Sequence, residues 1–147
     1  MFIDDGIPYV AEEGFDEISW GDHEGAEASA ERNAYLRSTI EEWNSGNTSL
    51  KIEGGESPED VAERQKPVID KILRAEEELI LICMHGRAMR ILLCQLLELP
   101  LINMDDFEHY NLSLYVLNYK GNKFIIEQSN STSHFQDNTS GSILKEN

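Results

Sequence analysis

Basic residues are scarce in this chain. Lys and Arg total 12 of 147 residues against 28 Asp and Glu, a net charge of 12 − 28 = −16. A surface this acidic repels nucleic acid and anionic membranes, so neither is expected as a partner. An anionic small molecule can bind only where donors gather locally. Cysteine is scarce too. The two present, Cys83 and Cys94, lack metal-ligand spacing and read as reduced core thiols, so no metal site is expected. No apolar run approaches the ~20 residues of a membrane helix. The first residues show no basic region followed by an apolar run, which predicts no signal peptide and a cytoplasmic location. There is no internal repeat.

What is present fits one α/β domain. A 40% hydrophobic content is ordinary for a globular chain of this length. Residues 1–25 read as loop, with Ile7-Pro8-Tyr9-Val10 as a brief strand. Residues 27–43 carry apolar side chains at helical spacing, and Ser45-Gly46-Asn47 ends that helix. Ser57-Pro58-Glu59-Asp60 opens a second helix: Ser57 suits the N-cap, Pro58 the first turn, and Asp60 partly closes a capping box. Pro67 lies inside this pattern and is expected to kink or divide it. A leucine-rich helix over about 86–98 ends before Pro100. Residues 112–118 and 124–127 read as a hairpin around Lys120-Gly121-Asn122. Residues 136–147 are polar and read as a disordered tail.

The most informative stretch is Leu79-Ile80-Leu81-Ile82-Cys83-Met84-His85-Gly86. It predicts a buried strand that delivers a histidine to its C-terminal end, against the start of a helix. Free N–H groups and the helix dipole make such a junction suitable for an anion, phosphate above all. The strand needs parallel neighbours on both sides, and the chain offers few.

Three patterns line up with it. The first is Phe15-Asp16-Glu17-Ile18-Ser19-Trp20-Gly21-Asp22-His23-Glu24-Gly25. The second is Gly54-Gly55-Glu56-Ser57, opening the capped helix. The third is the strand ending in His85-Gly86, then Arg87-Ala88-Met89-Arg90. In this order, with Asn111-Leu112-Ser113 before a strand, they resemble the histidine phosphatase superfamily, the phosphoglycerate mutase-like fold. The resemblance covers nearly all of residues 1–135 and implies a three-layer α/β/α sandwich around a mostly parallel sheet. It implies that His85 steadies a transferring phosphoryl group and that Glu17 is the proton donor. Gly86 and Arg87 are then candidate substrate-binding residues, and the substrate is a phosphorylated small molecule. No metal or organic cofactor is implied.

The departure from the family is equally plain. The family's phosphorylated histidine lies in an Arg-His-Gly motif, and no Arg-His-Gly occurs in this sequence. The resemblance therefore implies the C-terminal two-thirds or so of the domain, without the nucleophile. Phosphomonoester hydrolysis or phosphomutase chemistry through a phosphohistidine is expected of the complete domain, and the chain as given is expected to be inactive. The alternative is a non-catalytic module that binds a phospho-ligand or a protein. His23 as a substitute nucleophile is disfavoured, because the donors around the phosphoryl group would still be missing.

Overall fold

The computed structural model describes residues 6–136, and these fall into two compact units, one up to Asp105 and one from Asp106 onward. The polar tail from 137 lies outside the described residues.

The first unit is built from three helices and long ordered loops. Helix α1 (Ala30–Asn44) starts three residues later than the apolar spacing suggests, because the Ser29 side chain caps it by accepting the Arg32 N–H at 3.1 Å. It buries Trp43 completely, and the indole N–H donates to the Leu50 carbonyl at 2.8 Å. Helix α2 (Pro58–Leu73) carries the expected capping box in full: the Ser57 hydroxyl accepts the Asp60 N–H and the Asp60 carboxylate accepts the Ser57 N–H. The helix runs unbroken through Pro67, contrary to the expected division. Pro67 is exposed, so the carbonyl it leaves without a ladder donor lies on the solvent side.

Helix α3 (Gly86–Leu96) buries Ala88, Ile91, Leu92, Leu93 and Cys94. It ends in a Schellman motif, with the Leu99 N–H on the Cys94 carbonyl at 2.8 Å and the Glu98 N–H on the Gln95 carbonyl at 3.2 Å. Phe15, Val68 and Leu92 form one core cluster, packed by Ile69, Ile72, Ile82, Met84 and Leu96.

Residues 79–84 correct the expectation of a buried strand. They alternate as a strand should: Ile82 and Met84 face the core cluster, whereas Leu79 is 88% exposed, Leu81 is 63% exposed and Cys83 points outward. Yet no backbone hydrogen bond reaches them from the described residues, and they form no ladder. The mostly parallel sheet is thus not formed by the described residues. A parallel ladder requires neighbouring strands brought in by crossovers, and this segment has none. Cys83, expected in the core, is exposed for the same reason, while Cys94 is buried. Residues 7–10, expected as a short strand, are irregular.

The second unit is an antiparallel hairpin, β1 (Leu114–Lys120) and β2 (Lys123–Ser131), followed by a short helix α4 (Ser133–Gln136). Its two-residue turn has φ +60° at Gly121 and +68° at Asn122, the type I′ geometry whose twist matches the strands. It is the only sheet among the described residues.

Candidate active site

The loop carrying Glu17 reaches the first turn of α3 because three neighbours hold it there. Arg64 on α2 is the principal one. Its guanidinium donates to the carbonyls of Gly14, Asp16 and Glu17, each at 2.9 Å, and to both carboxylate oxygens of Glu56 at 2.8 and 3.1 Å. Glu56 in turn accepts the Ser19 N–H at 2.9 Å and donates its own N–H to the Ser19 carbonyl at 3.0 Å. Burial pushes the Glu56 carboxyl up, but the hydrogen bonds from Arg64 and Ser19 and the Arg64 charge outweigh it, and the net shift is downward.

The third neighbour is backbone against backbone. Gly21, at φ +55°, lies so close to residues 53–55 that a Cβ there would sit 2.1 Å from the Glu53 carbonyl oxygen. At Gly55 a Cβ would sit 2.4 Å from the Ser19 carbonyl oxygen. Only glycine permits the two loops to meet this closely.

Held in this way, the Glu17 carboxylate closes on the start of α3. Oε1 accepts the Ala88 N–H at 2.8 Å and Oε2 the Arg87 N–H at 3.2 Å, while Oε1 also accepts the Ile18 N–H at 2.9 Å. The Arg87 and Ala88 N–H groups are ones that a helix leaves unpaired in its first turn. His85 is the N-cap residue of the same helix; its side chain is exposed and makes no capping bond. The structure therefore places Glu17 at the turn that contains His85, Gly86 and Arg87, although 70 positions separate Glu17 from Arg87.

The Arg87 side chain leads away from this turn. It is 11% exposed, pairs with Asp105 and lies 5.7 Å over the Trp43 ring. Burial lowers its pKa and the Arg90 charge adds to this, against the opposing effect of Asp105. Arg90 joins the same carboxylate at 2.9 Å. A groove of about 500 Å³ opens beside Glu17, lined also by Glu13, Asp16, Ser19, Gly54, Gly55, Glu56 and Arg64. Its lining is acidic, and the one guanidinium in it is already engaged. His23 stacks on Tyr35 with ring centroids 4.7 Å apart, and neither imidazole nitrogen has a hydrogen-bond partner. Among the described residues, no group of three or more His, Cys, Asp or Glu side chains is placed to hold a metal ion. None of the described helices is long and apolar enough to cross a membrane.

Sequence reasoning missed Arg64, Gln65 and Asp105. Gln65 carried a usable signal: a polar residue on the same helix face as Val61 and Val68 needs a buried partner.

The family model for the histidine phosphatase superfamily (branch 1) matches residues 2–132. The chain belongs to that superfamily. No curated protein matches the sequence. Similar solved structures include mycobacterial glucosyl-3-phosphoglycerate phosphatase with VO3, at 23% identity and TM-score 0.73, covering 88% of this chain and 67% of that one. The same enzyme with inorganic phosphate gives 21% identity and TM-score 0.64, over 80% of this chain and 62% of that one. A structure described as mycobacterial hydrolase 2 gives 21% and 0.65, over 80% and 57%. The α/β fold of this histidine phosphatase chain is thus similar to theirs, and the chain spans about three fifths of the length of the phosphate-bound enzyme.

Proposed function

We propose that this chain is the C-terminal part of a histidine phosphatase domain whose complete form hydrolyses or transfers phosphomonoesters through a phosphohistidine. The complete domain is the three-layer sandwich with a mostly parallel sheet, in which residues 79–84 become a central strand. The observation that carries the reading is the Glu17 carboxylate on the Arg87 and Ala88 N–H groups. It supports a first turn of α3 able to hold an oxyanion next to His85. His85 supplies a further donor to the phosphoryl oxygens, Gly86 allows close approach of the backbone, and Glu17 serves the leaving oxygen as proton donor. The substrate class is a phosphorylated small molecule. No cofactor is needed for this chemistry.

The isolated chain has no Arg-His-Gly nucleophile, and the residual donors cannot create a covalent intermediate. Mixed with a phosphomonoester and quenched, it should show no turnover above background and no phosphohistidine. Phosphate or vanadate should bind at millimolar strength or weaker, about −4 kcal/mol, and shift the amide resonance of Gly86, the first-turn N–H that Glu17 does not occupy. Turnover that disappears in both His85→Ala and Glu17→Gln would overturn the claim of an incomplete site. The reading as a non-catalytic phospho-ligand module rests on the same turn. Micromolar binding without turnover would select it.

A further inference from the structure

Gln65 is fully buried in α2, yet it points at α3. Its Nε2 donates to the Ala88 carbonyl at 2.8 Å, and its Oε1 accepts the Gln95 Nε2 at 2.7 Å. Ala88 is the residue whose N–H holds Glu17 at 2.8 Å. One residue of the first turn is therefore gripped on both sides, by Glu17 at its N–H and by Gln65 at its carbonyl. A carbonyl has two lone pairs, so this bond adds to the helical ladder.

A buried amide on an otherwise apolar face is costly unless it is satisfied, and here both of its ends are. Val61 and Val68 flank it in α2, so its position on that helix is otherwise apolar. Packing alone gives no reason for a glutamine. The direction of its bonds does. The N-cap residue of α3 makes no capping bond of its own, so the turn is held from outside the helix, by Glu17 at its N–H groups and by Gln65 at a carbonyl.

We propose that Gln65 is a positioning residue: from the neighbouring helix it fixes the first turn of α3, and through that turn the Glu17 carboxylate. Gln95 orients the Gln65 amide so that its nitrogen faces Ala88. The significance of the device rests on the reading of this turn as the phosphate end of the site. Its existence does not, because it is measured without ligand.

The test is amide hydrogen exchange in the full chain, with Leu93 in the same helix as internal reference, because the Leu92 N–H shares the Ala88 carbonyl with Gln65. In Gln65→Leu the Arg87 and Ala88 N–H groups should exchange about five- to tenfold faster, as expected for one lost hydrogen bond. Leu93 should keep its rate. Equal acceleration at all three sites would make Gln65 a general support of α3 and overturn the proposal, as would no change at Arg87 and Ala88. If Gln65→Leu does not fold, Gln95→Leu leaves Gln65 in place and removes its orienting donor. A smaller acceleration confined to Arg87 and Ala88 is then expected, and unchanged rates there would overturn the proposal. Phosphate binding is a separate measurement, so its failure and the failure of this inference are distinguishable.

Discussion

Glu17 Oε1 accepts the Ala88 N–H at 2.8 Å across 71 positions of sequence. The contact places a carboxylate where a helix offers positive charge and unpaired donors, so it stabilises α3 as a cap supplied from a distant loop. Glu17→Ala should lower stability by about 1–2 kcal/mol, the usual loss for a cap. Glu17→Gln should cost less, since one oxygen still accepts while the amide nitrogen faces an N–H. Urea midpoints of the two variants check the order.

The far end of α3 carries a correctable strain. Glu98 sits at φ +56° in the C′ position of the Schellman motif, where glycine is usual. Glu98 is exposed, and its side chain enters no hydrogen bond or ion pair among the described residues. Glu98→Gly should therefore stabilise the chain by roughly 1 kcal/mol, because the left-handed conformation no longer carries a Cβ. A rise in Tm of several degrees, read by circular dichroism, is the expected outcome.

Gly21 and Gly25 separate conformational strain from crowding. Both have positive φ, +55° and +63°. At Gly25 nothing lies within 4 Å of an added Cβ, whereas at Gly21 the Glu53 carbonyl oxygen lies at 2.1 Å. Gly25→Ala should cost about 1 kcal/mol. Gly21→Ala must also push the two loops apart and should cost roughly 3 kcal/mol or more. Near-equal unfolding midpoints would contradict the close approach.

These loops show where the sequence is informative and where it is not. The start of α2 was legible because Ser57, Pro58 and Asp60 act on their own helix within four positions. The hairpin turn was legible for the same reason, through Gly121 and Asn122. Arg64 was not. Its partners Gly14, Asp16 and Glu17 lie 47 to 50 positions away, and no local periodicity encodes such a contact. Pro67 misled because the proline rule describes the lost hydrogen bond, while the outcome depends on which side of the helix the freed carbonyl faces. Residues 79–84 misled because an apolar alternation fixes which side chains turn inward but says nothing about ladder partners. Of the candidate site, the meeting of Glu17 with the α3 turn followed from the family pattern. The withdrawal of Arg87 toward Asp105 and Trp43 did not, since a long flexible side chain finds its partner only in the folded chain.

Asp60 makes stability depend on acid. Its carboxyl falls from an ordinary 3.8 to about 2, first through the Ser57 N–H, then through Lys51 and the Ser57 hydroxyl. A carboxyl lowered on folding contributes stability that is fully present above its unfolded value and is lost as pH falls through its folded value. The window is therefore about pH 4 down to pH 2. Asp60→Asn should be less stable than the parent at pH 6, and the gap should close as pH approaches 2. Glu56, also lowered, adds to the parent's loss but is common to both proteins. Melting curves across the window test this; a gap that stays constant with pH would remove Asp60 as its source.

The outward face of residues 79–83 should govern association. Leu79 and Leu81 are 88% and 63% exposed, on extended backbone without ladder bonds, an arrangement that favours edge-to-edge pairing with a second copy. The net charge of −16 opposes that pairing at long range. Salt screens the repulsion over a Debye length of about 8 Å at physiological ionic strength and leaves the apolar contact intact. Self-association should therefore grow as salt is raised from 20 to 300 mM (roughly a fourfold shorter screening length, by the same scaling). Leu81→Lys places a charge on the edge itself and should suppress association at both ends of the range. Sedimentation velocity at several protein concentrations reads both effects. A parent chain that stays monomeric throughout, or a Leu81→Lys variant that associates as readily as the parent, would show that this face is not the one that pairs.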